Sequence, residues 1–325
     1  MTSSPAYLLV FHGSRDSRSH SAVDRLARLV RERLSQPLAG RDPKTALDEP
    51  ISPIPLNELA LPIESRHPWS THTQTGHRLL TSPTEPSPSI EKRDRSIEER
   101  DRREKSRVAM ASTPIVGTAC LELGPRPLHE QIYQFSQRVK AAGGAHVKVL
   151  PLFLLPGVHV MEDIPREMAL ARQILNTSLD ITLCPYLGSH FGLRKLLIDR
   201  MAEVPTAARL LIAHGSQRPG GNKPIEEIAK QLGGIAAYWS VYPDLETQII
   251  HLMQKGHHQL AILPYFLFPG GITDAITQFT EELAERFPRV NFRLMPPLGA
   301  TPELADVVVD LSKEEGTCHW GVERA

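Results

Sequence analysis

Two histidines and one glutamate stand where a sheet would present them together. His12 follows the apolar run LLVF, and His159 follows LPLFLLPGV. Glu122 closes TACLE. Short apolar runs of this kind are strands buried on both faces of a parallel sheet. In open parallel α/β sheets, ligands gather beyond the carboxyl ends of the strands, so all three side chains are expected on one functional edge. Two neutral imidazoles there suit a borderline divalent metal such as iron, cobalt, nickel or zinc. Two protein ligands leave coordination positions open, so the ion could be handed on rather than locked in. Glu122 could serve as a general base or as a further ligand. Taken singly, each residue also has a plainer reading: a strand-end histidine bonded to loop backbone, or a surface carboxylate.

The two HGS turns, Gly13–Ser14 and Gly215–Ser216, lead from a strand into a helix. Backbone N–H groups at such a turn can cradle an anion. Arg15, Arg18, Arg126 and Arg166 fall near the same edge, and arginine suits bidentate carboxylate recognition. Ser14, Arg15, Arg126 and His214 are the substrate-binding candidates, and His190, behind PYLGS, is a further residue that could reach the edge.

The elements that position these residues occur twice. LLVFHGSRDSR at 8–18 resembles LLIAHGSQRPG at 210–220, and LHEQI at 128–132 resembles LETQI at 245–249. LPLFLLPG at 150–157 resembles LPYFLFPG at 263–270, and PYLG at 185–188 resembles PPLG at 296–299. The offsets are 202, 117, 113 and 111. The drop of 85 after the first block marks an insertion in the first copy. Composition finds it independently: residues 37–112 hold ten of the 28 prolines, and Glu91–Arg107 has 14 charged residues in 17. So polar a stretch buries too little apolar surface to offset its ordering entropy. It reads as a disordered loop, with a short charged helix at most near 91–107 and solvated histidines at His67, His72 and His77.

Without the insertion each copy alternates strands and helices. Strands are expected near 7–11, 115–121, 147–154 and 179–184, then near 210–213, 236–241, 259–267 and 290–295. Val23, Leu26, Ala27 and Val30 recur at helical spacing, as do Ile225, Ile228, Ala229 and Leu232. The fold class is therefore α/β: two similar doubly wound parallel-sheet domains, 1–205 and 206–325, facing a central cleft. The copies are not equivalent. His12 pairs with His214, but His159 falls opposite Ile272, and the 117 offset sets Glu122 opposite Trp239. A residue that the second copy folds without is less readily explained as structural in the first.

Composition limits the partners. A formal net charge of +0 gives no electrostatic case for nucleic acid or a membrane surface. Cys120, Cys184 and Cys318 are sparse and form no CxxC, which fits a reducing compartment and argues against a cysteine cage. No apolar run reaches membrane-spanning length, and the first strand begins near Tyr7, too early for a signal peptide. The expectation is a cytoplasmic protein, monomeric because the duplication supplies its own second half.

LLVFHGSRDSRSHSAVDRLA, CLELGPRPLHEQI and VLPLFLLPGVHVMEDIP together resemble the sirohydrochlorin chelatases, the class II chelatases of the CbiX and SirB type. The resemblance covers nearly all of the chain outside 37–112, with the second copy looking like the degenerate half of the long form. It implies insertion of Fe²⁺ into sirohydrochlorin to make sirohaem, or of Co²⁺ on a route to cobalamin. It also implies a site of two histidines and an acidic residue, matching His12, His159 and Glu122, with the histidines as metal ligands and no organic cofactor. A non-catalytic metal or tetrapyrrole carrier is the alternative. A phosphate-handling hydrolase using His12 would leave His159 and Glu122 unexplained.

Overall fold

The computed structural model describes residues 5–36, 114–175, 179–204 and 207–314. The insertion expected at 37–112, its charged stretch and its histidines lie outside the described residues, as does Cys318.

The first half runs β1 (Ala6–Phe11), α1 (Ser17–Ser35), β2 (Val116–Cys120), α2 (Leu128–Ala141) and β3 (His146–Pro151). A π-helical turn, His159–Asp163, then enters α3 (Ile164–Leu175), followed by β4 (Asp180–Leu183) and α4 (Phe191–Ala202). The second half repeats the order with β5 (Ala208–Ala213), α5 (Lys223–Gln231), β6 (Gly234–Tyr238) and α6 (Leu245–Gln254). It ends with β7 (Gln259–Pro264), α7 (Gly271–Arg286), β8 (Asn291–Leu294) and α8 (Pro302–Leu311). The sheets have the orders β2-β1-β3-β4 and β6-β5-β7-β8, one topology used twice. Every pairing is parallel.

Why β1 is apolar throughout is now plain. Its six residues are all buried, because successive side chains point to opposite faces and both faces are covered. Leu8 and Val10 enter an outer core with Ile132 and Phe135 of α2 and Met168 of α3. Leu9 and Phe11 enter a core that crosses between the halves. There they join Val23, Leu26 and Val30 of α1, Leu193 and Leu197 of α4, Ile225 of α5, and Leu304 and Val308 of α8. A third core lies on the outer face of the second sheet, around Leu210, Ile212, Ile249 and Ile276. The central core is pinned by polar contacts. Arg200 donates to the carbonyls of Pro297 and Leu298 at 3.0 and 2.6 Å. The Tyr265 hydroxyl donates to Leu154 O at 3.2 Å.

The carboxyl edges of the two sheets meet at one end of this shared core. Ser19 Oγ, in the first turn of α1, donates to Pro269 O behind β7 at 3.3 Å. Beside it Arg18 joins two carboxylates, Asp16 of its own half and Asp274 of α7. Cys120 and Cys184 are buried.

Candidate metal centre

The chain leaves β1 at Phe11 and turns at once through His12 and Gly13. Gly13 has a φ of 101°. A Cβ there would lie 1.9 Å from the Glu122 carbonyl oxygen, so only glycine lets the exits of β1 and β2 come this close. The Glu122 N–H donates to His12 O at 2.9 Å, continuing the ladder one step past the strands. Leu123 then reverses the chain with a φ of 57° and leaves its side chain 58% exposed.

His159 arrives from the third strand exit, at the start of the π turn. Its Nδ1 meets Asp163 Oδ2 at 2.9 Å. Because a carboxylate only accepts, the neutral ring carries its proton on Nδ1 and leaves the Nε2 lone pair free. That Nε2 stands 4.0 Å from Glu122 Oε1, and His12 Nε2 stands 3.9 Å from Glu122 Oε2. The imidazole rings are 4.8 Å apart and nearly perpendicular, at 86°, with Phe153 tilted against both. One donor atom from each of the three residues falls within 4.8 Å of the others. Ligands of a tetrahedral divalent ion lie about 3.4 Å apart when bonds are about 2.1 Å, so movements of about an ångström would close the set. The side chains are 52%, 50% and 34% exposed for His12, Glu122 and His159, which leaves one side open to an incoming molecule.

The other candidates have different places. Ser14 Oγ accepts from Asp16 N at 3.0 Å, and its carbonyl accepts from His20 Nε2 at 2.8 Å, so it braces the turn. Arg15 is exposed beside it. Arg126 is exposed and pairs with Glu130 at 3.3 Å, one helical turn away. Arg166 donates to Asp163 Oδ1 at 3.1 Å. Arg18 is already engaged by Asp16 and Asp274 through Nε, Nη1 and Nη2, and its hydrogen bonds hold the Asp16 carboxyl below its usual range. His190 does not reach the edge. It is buried, its Nδ1 caps α4 by accepting from Gly192 N at 3.1 Å, and its Nε2 pairs with Glu314. Its counterpart Thr301 also caps its helix, α8, with Oγ1 accepting from Leu304 N at 3.3 Å.

The second half keeps the scaffold without the cluster. His214 is exposed, and its carbonyl accepts from Ser240 N at 2.9 Å and Ser240 Oγ at 2.8 Å. This corrects the expected alignment of Glu122: its counterpart is Ser240, not Trp239. Phe11 pairs with Cys120 as Ala213 pairs with Tyr238, which sets the offset at 118 through the strand. The loop to the following helix is one residue shorter in the second half, and this restores 117 at LETQI. The carboxylate is missing on either alignment. A cavity of about 260 Å³ lined by Trp239, Leu245 and Phe279 belongs to this half and contains none of the triad. The sequence marks Asp163 only by its place four residues after His159, inside VHVMEDIP.

The CbiX family model matches the chain twice, over residues 103–204 and 208–315, together more than half of its length. The chain belongs to the CbiX family. The first match takes in Glu122 and His159, while His12 lies on the far side of the insertion. Among individual relatives, a sirohydrochlorin ferrochelatase of Priestia megaterium is 25% identical over 170 residues, which are 46% of this chain and 62% of that protein. A sirohydrochlorin cobaltochelatase of the same organism is 22% identical over 190 residues, 54% of this chain and 62% of that protein. The chain thus spans about 62% of the length of these two relatives. In solved structures the fold recurs in SirB from Bacillus subtilis with Fe3+, at a TM-score of 0.61 and 18% identity, covering 97% of this chain and 95% of that one. It recurs also in the cobalt complex of SirB from Bacillus subtilis subspecies spizizenii, at a TM-score of 0.58, 17% identity and the same coverage.

Proposed function

We propose that this CbiX-family chain inserts a divalent metal ion into sirohydrochlorin, Fe²⁺ to make sirohaem or Co²⁺ for cobalamin synthesis. The observation that carries this is the convergence of His12, Glu122 and His159 from three neighbouring strand exits, with donor atoms within 4.8 Å. The names of the ferrochelatase and cobaltochelatase relatives support the substrate. The metal is a substrate here, and no organic cofactor enters the reaction. His12 and His159 hold the incoming ion through Nε2, with Glu122 between them. The macrocycle is flat and carries carboxylates at its rim, so it approaches the exposed side of the triad. As each metal–imidazole bond gives way to a metal–pyrrole bond, a pyrrole N–H loses its proton. Two protons leave per ion inserted, and the vacated imidazoles and Glu122 are the bases within reach. Ser14, Arg15, Arg126 and His214 are assigned to the rim of the bound macrocycle. The two halves are read as domains 1–205 and 206–325, working as a monomer in the cytoplasm. Among the described residues no helix is long and apolar enough to cross a membrane.

The test is anaerobic incubation with sirohydrochlorin and either ion, followed by absorption. Acceleration over the protein-free rate is expected. Metal or macrocycle binding without acceleration would instead make the chain a carrier. Rates with both ions, measured side by side, decide between iron and cobalt preference, since imidazole accepts either.

A further inference from the structure

The two imidazoles of the triad are held differently. His159 Nδ1 bonds the Asp163 carboxylate at 2.9 Å, and the other oxygen of that carboxylate accepts from Arg166 at 3.1 Å. Among the described residues His12 Nδ1 has only the carbonyl of the adjoining Gly13, at 3.3 Å. One ring is therefore clamped through a charged partner that is itself oriented, and the other is loosely tied.

The duplication supplies an internal control. Buried Val160 and Ile164 of the first half correspond to buried Thr273 and Ile276 of the second. Three residues separate the first pair, Met161 to Asp163, and two separate the second, Asp274 and Ala275. The extra residue is accommodated by the π turn, in which Ile164 N–H donates back to His159 O. In the second half α7 starts at Gly271 as ordinary α-helix. The residue before the second buried position is Asp163 in one half and Ala275 in the other. The imidazole, its carboxylate and the widened turn thus occur together in one copy and are all missing from its twin. The core needs none of them, because Ile276 and Thr273 pack without them. Single-residue π insertions of this kind are frequent at functional sites.

We propose that Asp163 is a positioning residue for the metal site: through the His159 Nδ1–H it fixes the tautomer and ring orientation that aim Nε2 at the ion. Carboxylates behind metal-bound histidines act in this manner, and their loss typically costs about 10- to 100-fold in metal affinity or activity. Asp163 itself faces the ring's far nitrogen and touches neither substrate. His159 is thereby the fixed ligand and His12 the yielding one, an asymmetry suited to releasing the ion. This rests on the reading of the triad as a metal site.

The experiment titrates the full chain with Co²⁺ alone, following the cobalt absorption band, and separately measures KM for Co²⁺ and for sirohydrochlorin. Binding by the unmodified chain is established first; its absence would remove the metal-site reading and this inference with it. Asp163→Ala is expected to weaken Co²⁺ binding by about 10- to 100-fold. KM for the metal should rise while KM for sirohydrochlorin stays put and the metal-free thermal midpoint is kept. Asp163→Asn, whose amide oxygen can still accept from Nδ1–H, is expected to recover most of the loss. In a His159→Ala background Asp163→Ala should change nothing further. Tight Co²⁺ binding by Asp163→Ala, or an equal loss with and without His159, overturns the proposal. Should Asp163→Ala not fold, Asp163→Ser, too short to reach the ring, takes its place.

Discussion

The N–H of Glu122 donates to the carbonyl of His12 at 2.9 Å, so two members of the triad are tied to each other through backbone before their side chains are considered. That tie depends on Gly13. A methyl group at this position would meet the Glu122 carbonyl at 1.9 Å, from a backbone with φ of 101°. Gly13→Ala is expected to destabilise the chain by about 1–3 kcal/mol and to weaken Co²⁺ binding as well. Gly215→Ala, at a φ of 89° with Val241 and Tyr238 side chains in the way, should lower the thermal midpoint yet leave Co²⁺ affinity unchanged. Equal effects of the two on metal binding would contradict the division of roles between the halves.

His159→Ala is expected to abolish turnover, because it removes the clamped ligand. His214→Ala should leave a measurable fraction, since its half offers Ser240 and Ile272 where the first has Glu122 and His159. Turnover assays at saturating sirohydrochlorin decide this, and losses of the same size would show that the copies are not specialised.

The register correction makes a constructive prediction. Ser240→Glu combined with Ile272→His should give the second half a cluster with His214, and a second Co²⁺ should bind, more weakly than the first because no carboxylate stands behind the new histidine. Stoichiometry by equilibrium dialysis reads this out. A single bound ion in the double variant would mean that Ser240 and Glu122 are not equivalent in space.

Arg18 supplies a pH-dependent contact between the halves. Its hydrogen bonds lower the Asp16 pKa in the folded chain. A depressed carboxyl pKa contributes stability that is present above the unfolded value, about 3.9, and is lost as pH falls through the folded value. The stability difference between the unmodified chain and Arg18→Ala should therefore stay level from about pH 5 to pH 8 and shrink below about pH 4. It should also shrink in high salt, because the groups are exposed. Denaturant midpoints across that range are the measurement. A difference growing toward acid pH would show that another pairing dominates.

Much of the architecture was legible because burial on both faces leaves an unmistakable trace: AYLLVF has no polar position, and its counterpart ARLLIA nearly none. The apolar runs place His12, Glu122 and His159 at three strand exits, and the structure brings their side chains within reach of one another. Other features have no local signature. The one-residue difference in loop length that moves Glu122 from Trp239 to Ser240 is silent until the ladder bonds are seen. Arg18 looked free for a ligand because its partner Asp274 is 256 residues away. His190 resembled an edge ligand because a histidine capping a helix carries the same letter as one awaiting a metal. The π turn needs one added residue in a helix entry, and hydrophobic periodicity absorbs such an addition without a break.

The core shared between the sheets bears on inheritance. A lone copy of this unit would leave Val23, Leu26, Leu193 and Leu197 bare on one face, and a second copy is the natural cover. Joining both copies in one chain makes that pairing permanent. The second copy carries serine at 240, isoleucine at 272 and alanine at 275, and its helices still cover their neighbours.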